Sequence, residues 1–368
     1  MSASRLYLAV VLLNIYVLGN CVTSVAQTTL VASNAEHQPG IELYRKADYE
    51  AAAGHFQALV KKNKTDELSW YYLGLSLEQQ DKSKDAAKAF ESALKLNPAF
   101  AQARADLSYV YLRRQKYSQA LKEAERALST APNLAVAHYV AGIIRLRSDN
   151  PQQALDSANA TIRSAPQLAA AHLLRSLAVL GVYGKKVFEN HSPRKSSTTS
   201  QPSNTLEAGE RRRQKRVEAA SAFKDAAGSL ETYLRLQPAD SSTLTWREQL
   251  ESLQVYAKQS HEEQEKLPIS ERLWFGDEVT TRARILEKPA PQYTDAARNA
   301  GVSGTVVMRA VLAADGTVRH LILLRDLPLG LTQAAVHAAR RIKFEPAKIN
   351  GTSVSMVVQL EYNFHLSH

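Results

Sequence analysis

Cysteine is almost absent from this chain of 368 residues, where Cys21 is the only one. A disulfide framework and a multi-cysteine metal site are therefore excluded. The sequence also has no His-Glu-x-x-His motif, no nucleophile-elbow serine and no phosphate-binding loop, and its ten histidines are scattered. We therefore expect no enzymatic activity, no metal site and no cofactor.

Long apolar runs are also scarce. The one near the N-terminus, from Leu6 to Leu18, is interrupted by Asn14 and is shorter than the roughly 20 residues that a membrane helix needs. Arg5 precedes it, and Ser24-Val25-Ala26 follows as a small-x-small cleavage site. This pattern predicts a signal peptide over residues 1–26 and a location in the periplasm or cell envelope. An uncleaved membrane anchor and a lipoprotein at Cys21 are the alternatives.

The formal net charge is +10, and part of the excess lies in one segment, from Gly184 to Arg216. This segment is rich in Ser, Thr, Pro and basic residues and has no apolar period, so we expect a mostly disordered insertion. Contact with nucleic acid or with anionic envelope polymers is the alternative, but aromatic side chains do not interleave with the charges, and we favour a solvated surface. The basic residues are Lys185, Lys186, Arg194, Lys195, Arg211, Arg212, Arg213, Lys215 and Arg216.

A pattern of small and apolar residues recurs every 34 residues between the predicted signal and the tail. Trp70, Gly74, Ala86, Phe90 and Pro98 define one unit, which resembles the tetratricopeptide repeat. The resemblance implies an α-solenoid of stacked helix pairs, in which prolines separate the units. We place the repeats at 33–240 with an insertion at 184–216, a capping helix at 241–266 and a linker at 267–284.

The first helix of each repeat lines the concave face of such an array. The repeat register therefore predicts a peptide groove with aromatic anchors and a basic rim. Packing of these side chains against one another is the alternative. The groove residues are Tyr71, Leu75, Tyr109, Leu112, Arg113, Tyr139, Ile143 and Arg147.

The tail, residues 285–365, has β-strand patterns around a turn signal. Asp315-Gly316 separates two β-rich runs and predicts a tight hairpin. Leu331 to Ile342 has helical spacing, and Ser353 to His365 alternates between apolar and polar residues, as a half-buried strand does.

The tail resembles the TonB C-terminal domain. The matching residues include Tyr293, Gly301-Val302, Gly304-Thr305-Val306, Asp315-Gly316 and Pro346-Ala347. The resemblance implies a small α+β domain, with an antiparallel sheet packed on two helices, that captures a peptide by strand addition. Thr294 stands where the family usually has proline, and Ile342 where it often has an aromatic residue.

The last strand is the candidate partner-binding edge, because an exposed strand offers unpaired backbone groups to an extended peptide. From the sequence, we expect Val358→Pro to abolish such binding without unfolding the domain. Covering of the strand by the domain's own tail, the linker or a second copy is the alternative. The edge residues are Ser353, Val354, Ser355, Met356, Val357, Val358, Gln359, Leu360, Glu361 and Tyr362.

Together the two resemblances imply an exported envelope scaffold that binds protein or peptide partners, with an outer-membrane protein as one candidate. The rival interpretation is an energy transducer of TonB type, coupled to an inner-membrane proton channel. In that family the membrane helix carries a histidine, and none lies between Met1 and Gln27 here. A third interpretation makes the tail a structural cap or a dimer interface and leaves binding to the array.

Overall fold

The computed structural model describes most of the chain as two compact units, an array unit and a terminal unit. The predicted signal peptide lies outside the described residues. The described residues are 35–189, 205–237, 241–276 and 278–366. The array unit comprises residues 35–146 and 153–174, and the terminal unit comprises residues 147–152 and 175–366.

The array unit is an α-solenoid whose helices end just before the predicted prolines. Phe90 is fully buried, and a Cβ atom added at Gly74 would lie only 2.7 Å from its ring, so glycine is required there. Asp66 caps one helix by accepting from the backbone N–H groups of Leu68 and Ser69. The helices are α1 (Gln38–Arg45), α2 (Tyr49–Lys62), α3 (Glu67–Gln79), α4 (Ser83–Leu96), α5 (Ala101–Arg113), α6 (Tyr117–Thr130), α7 (Ala135–Arg147), α8 (Pro151–Ser164) and α9 (Ala169–Glu189).

The predicted disordered insertion is wrong at both of its ends. Helix α9 continues to Glu189, and the next helix, α10 (Thr205–Leu236), begins well before Val217. Glu, Ala, Gln, Lys and Arg fill the start of α10, and their high helix propensity sustains a helix without an apolar period. Residues 190–204 lie outside the described residues.

The predicted capping helix at 241–266 is two helices, α11 (Ser241–Ala257) and α12 (His261–Glu265). The break has a local cause, because the hydroxyl of Ser260 accepts from the N–H of Glu263 and starts a new helix. As predicted, α11 buries Leu253 and Tyr256.

The C-terminal part of the terminal unit contains the predicted antiparallel sheet. Its hairpin turns at Asp315-Gly316, where Gly316 has φ +85°, and the N–H of Ala313 donates to the carbonyl of Thr317. The long sheet has the order β1-β7-β3-β4, β6 also pairs with β7, and β2 pairs with β5. The strands are β1 (Leu273–Trp274), β2 (Arg284–Glu287), β3 (Gly304–Leu312), β4 (Val318–Arg325), β5 (Lys343–Glu345), β6 (Ala347–Ile349) and β7 (Thr352–Phe364).

Two helices, α13 (Asp295–Asn299) and α14 (Leu331–Arg340), belong to the same domain. The core that they share with the sheet includes Met308, Leu331, Ala335 and Leu360. This arrangement agrees with the predicted α+β module. The prediction that residues 267–284 are only a linker is wrong, because Leu273 and Trp274 form β1 and pair with β7.

The other face of the sheet is buried as well, since Val307, Val311 and Ile322 are at most 2% exposed. Helix α11 packs on β4, and the Gln249 amide donates to the Leu321 carbonyl over 3.3 Å. The terminal helices thus cover the face that an isolated sheet would expose to water.

Arg309 joins the sheet to the helices that cover it. Its guanidinium lies 5.6 Å from the ring centroids of Tyr183 and Phe223 and 5.8 Å from that of Tyr256. It also donates to the side-chain oxygen of Gln259 over 3.1 Å. We call these three rings and Gln259 the Arg309 cage; cation–π contacts and a hydrogen bond hold the cation in it.

Candidate functional site

Strand β7 has an open side over its C-terminal half. It pairs with β3 from Met356 to Phe364, whereas β1 pairs with it in parallel only at Ser355 and Met356. Strand β6 pairs with Thr352 to Val354. Among the described residues, no strand pairs with the side of β7 opposite β3 beyond Met356. This open edge, residues 357–364, is the candidate binding site.

The hairpin determines which backbone groups point outward from the open edge. Ala313 directly follows β3, and its N–H donates to the carbonyl of Thr317, which directly precedes β4. Odd-numbered residues of β3 therefore face β4, and even-numbered residues face β7. Their even-numbered partners, such as Val358 opposite Ala310, therefore bond to β3. The outward N–H and C=O groups of the open edge belong to Val357, Gln359, Glu361 and Asn363.

A contact of Lys288 independently confirms that the backbone groups of Glu361 point away from β3. Its ammonium donates to the Glu361 carbonyl over 2.7 Å, although that residue also lies opposite Val307 of β3. The same ammonium lies 4.7 Å from the ring centroid of Tyr362. Burial raises the pKa of Tyr362 to about 12, and its hydroxyl has no hydrogen-bond partner within the described residues.

The opposite edge of the sheet is obstructed. The Leu321 carbonyl of β4 accepts from Gln249, and the Leu324 carbonyl would lie 2.8 Å from a Cβ atom placed at Gly184. Helices therefore approach β4 closely, and β7 offers the accessible edge in the part of the chain that the structure describes.

The predicted edge strand is correct in position and only partly correct in exposure. The residues Ser353 to Met356 have strand partners in β6 or β1, so they are not free for a peptide on those sides. Val357, Val358, Gln359, Leu360, Glu361 and Tyr362 lie in the open edge. Lys288 has no local signal in the sequence, because its contact is with a backbone carbonyl 73 residues away.

The predicted groove residues are largely core. The six uncharged ones, which are Tyr71, Leu75, Tyr109, Leu112, Tyr139 and Ile143, are each less than a tenth exposed. Arg113 binds Glu78 and Asp81 in two ion pairs, and Arg147 is half-buried. This burial favours the alternative, in which these side chains pack against one another and against neighbouring helices. The groove stays a prediction.

One buried polar pair in the array was also missed. The Tyr71 hydroxyl donates to the Asp106 carboxylate over 2.9 Å, and both residues are buried. Burial raises the pKa of Asp106 to about 7, while the hydrogen bonds from Tyr71 and Gln102 oppose this shift. Such a carboxyl group becomes charged inside the protein near neutral pH.

The basic cluster is partly engaged in local contacts. Arg216 lies 4.2 Å from the ring centroid of Phe275 and pairs with Glu278, and the Lys185 ammonium donates to the carbonyl of Asp149. Arg213 and Lys215 are exposed on α10. Arg194 and Lys195 lie outside the described residues.

His320 sits at a bulge where β4 has one more residue than β3, and its φ is +49°. It lines a cavity of about 410 Å³ together with Glu251, Lys258, Glu271 and Arg319. Burial lowers the pKa of His320, Arg319 adds to this effect, and Glu251 opposes it. The folded protein therefore favours the neutral imidazole.

We expect this histidine to make the terminal unit less stable as the pH falls. A group whose pKa is lowered by folding contributes stability above its unfolded pKa, about 6.5, and loses that stability as the pH falls through the folded pKa. Urea unfolding at pH 7.5 and pH 5 should show that the free energy of unfolding falls less in His320→Asn than in the wild type. Asparagine tolerates positive φ and does not titrate. An equal loss in both proteins would contradict this role.

The described residues contain no candidate metal site and no candidate membrane helix. They contain no group of three or more His, Cys, Asp or Glu side chains suited to a metal ion. Within the same residues, every helix is too short or too polar to cross a membrane.

Comparisons with known families identify the two kinds of module in this chain. Residues 289–366 match the family described as Gram-negative bacterial TonB protein C-terminal. Residues 40–86 and 73–135 match tetratricopeptide repeats. The chain thus carries a tetratricopeptide array followed by a TonB C-terminal domain. Both are typically non-enzymatic modules, and the second is typical of the Gram-negative envelope.

Curated relatives match only over a short stretch. The peroxisomal targeting signal receptors of Candida glabrata and Saccharomyces cerevisiae are 38% and 36% identical over 69 residues, which is 19% of this chain. The match spans only 12% and 11% of those receptors.

Solved structures resemble the chain at low identity. MamA is 17% identical, with 56% of this chain and 99% of that chain covered and a TM-score of 0.39. PilW, a type IV pilus biogenesis factor, is 16% identical, with 64% and 93% covered and a TM-score of 0.41.

Proposed function

We propose that this chain is an exported envelope scaffold whose array recruits one partner and whose C-terminal domain binds another by strand addition. The observation that carries the proposal is the open edge of β7, where the outward backbone groups from the Val357 carbonyl to Asn363 have no strand partner within the described residues. An extended peptide can pair with such groups through its main chain, which gives affinity without a demanding side-chain sequence.

The match to a Gram-negative TonB domain supports the envelope location and a protein partner there. An outer-membrane protein is a candidate partner, and export would depend on the predicted signal at 1–26. Tetratricopeptide arrays generally bind proteins or peptides, which supports the role of the array. Arg113 and Arg147 remain the predicted basic rim of its groove.

The second candidate function is that of an energy transducer of TonB type. The TonB match favours it, because the family includes such proteins. It requires an uncleaved membrane anchor in the first 26 residues, whereas the scaffold does not. The N-terminus of the protein isolated from envelope fractions decides between them: Met1 or Ser2 supports the transducer, and Gln27 supports the scaffold.

Strand addition is tested by Gln359→Pro. Gln359 is exposed and its N–H points outward, so proline removes one edge donor and leaves the β3 ladder intact. The structure corrects the Val358→Pro test, because Val358 bonds to β3 and proline there would damage the fold. We expect Gln359→Pro to weaken binding at least about tenfold, since a donor is lost and the carbonyl of the peptide is left unpaired.

The probe is a peptide selected on the wild-type protein from a displayed library of random peptides, measured by fluorescence anisotropy. Gln359→Ala is the matched control, because it removes the same side chain and keeps the N–H. Equal affinity of Gln359→Pro and Gln359→Ala, with both proteins folded, would exclude strand addition at this edge.

A further inference from the structure

The open edge is bounded at both ends. At one end, β1 pairs with Ser355 and Met356. At the other end, the ammonium of Lys288 takes the outward direction of the Glu361 carbonyl at 2.7 Å. Between these boundaries lie the Val357 carbonyl, both outward groups of Gln359 and the N–H of Glu361. This window is about 17 Å long at about 3.4 Å per residue.

Lys288 is held at its boundary by the surrounding structure. The residues before it form β2, which pairs with β5 through Ile285 and Phe344. After it, Tyr293 packs edge-on against Phe364 at a ring-centroid distance of 5.7 Å. The backbone on both sides of Lys288 is therefore anchored, which lowers the entropy cost of placing its ammonium on β7.

The Tyr362 ring adds a second contact at the same point. Its centroid lies 4.7 Å from the ammonium, within the range of a cation–π interaction. The side chain of Tyr362 is itself 4% exposed, so the ring is a fixed platform. Lys288 thus has both an acceptor and an aromatic surface on the strand that a peptide would approach.

We infer that Lys288 sets the length and register of the strand that the open edge accepts. The inference rests on the proposed strand addition. A peptide that pairs as far as Asn363 needs the outward lone pair of the Glu361 carbonyl, and Lys288 occupies it. The wild-type edge therefore accepts an extended backbone of about five residues centred on Gln359. A longer strand binds only after Lys288 leaves.

Lys288→Met tests the inference, because methionine keeps an unbranched side chain of similar length and removes the charge and the donor. The probe is a random-library peptide selected on wild-type protein. We expect the peptide to bind three- to tenfold tighter, because the hydrogen bond from Lys288 no longer competes with the peptide for the Glu361 carbonyl. Hydrogen exchange should also show a new protected amide: Gln359 and Glu361 are protected in the wild-type complex, and Gln359, Glu361 and Asn363 in the variant complex.

Lys288→Arg is the matched control, since arginine keeps both the charge and the donors and should bind the peptide as the wild type does. Equal or weaker binding by Lys288→Met, or protection of Asn363 in the wild-type complex, would overturn the role of Lys288. The proposed function fails separately, when Gln359→Pro and Gln359→Ala bind the peptide equally.

Discussion

Replacing Arg309 by methionine should destabilise the terminal unit by about 2 to 4 kcal/mol. Methionine fills similar space but cannot make the three cation–π contacts or the hydrogen bond to Gln259. A cation–π contact contributes roughly 0.5 to 2 kcal/mol according to its desolvation, and the three share one guanidinium, so their sum is less than additive. The Gln259 amide would also lose its bond while buried.

Urea unfolding in a Trp70→Phe background measures this effect. The three tryptophans are then reduced to Trp246 and Trp274, both in the terminal unit, so fluorescence follows that unit alone. Arg284→Met is the control, because Arg284 is an exposed arginine of the same domain and should leave the midpoint unchanged. A midpoint for Arg309→Met equal to that of wild type would show that the cage does not stabilise the unit.

Replacing Asp106 by asparagine should remove most of a pH-dependent loss of stability in the array unit. The folded pKa of Asp106, about 7, lies above its ordinary value of 3.8 because of burial. A group with a raised folded pKa contributes its full stability below the unfolded pKa and loses it as the pH rises through the folded pKa. The free energy of unfolding of the wild-type array unit should therefore fall by about 3 kcal/mol between pH 5 and pH 8.

Asparagine cannot ionise, and its side-chain oxygen can still accept from the Tyr71 hydroxyl, so the variant should be the more stable protein at pH 8. Trp70 fluorescence reports the array unit when Trp246 and Trp274 are both replaced by phenylalanine. Asp85→Asn removes an exposed carboxylate of α4 and should keep the wild-type pH dependence. If Asp106→Asn lost as much stability as wild type over this range, the buried carboxyl would not be the cause.

The positions of the elements could be predicted well because their signals are local. Asp315-Gly316 marked the hairpin, Pro98 marked the end of a repeat, and the alternation from Val354 to Phe364 marked the two faces of β7. Each signal depends on residues within one turn or one strand. The tetratricopeptide and TonB resemblances then supplied the order in which these elements pack.

The details of the open edge could not be predicted, because they depend on which strands pair. Alternation gives the face of a side chain, but it does not say whether the N–H of Val358 or that of Gln359 points away from β3. That direction follows from the Ala313–Thr317 hydrogen bond. The two-residue strand β1 and the contact between Lys288 and Glu361 also have no local signal.

The cover on the second face of the sheet has a consequence for biosynthesis. During synthesis, Tyr183, Phe223 and Tyr256 are added to the chain well before Arg309. The three rings are therefore present for a time without the cation that they enclose in the folded protein. Val307 and Val311 are also synthesised after the helices that cover them. The tail can thus fold against an existing template, whereas a chain interrupted before β3 would leave an aromatic surface open to aggregation or proteolysis.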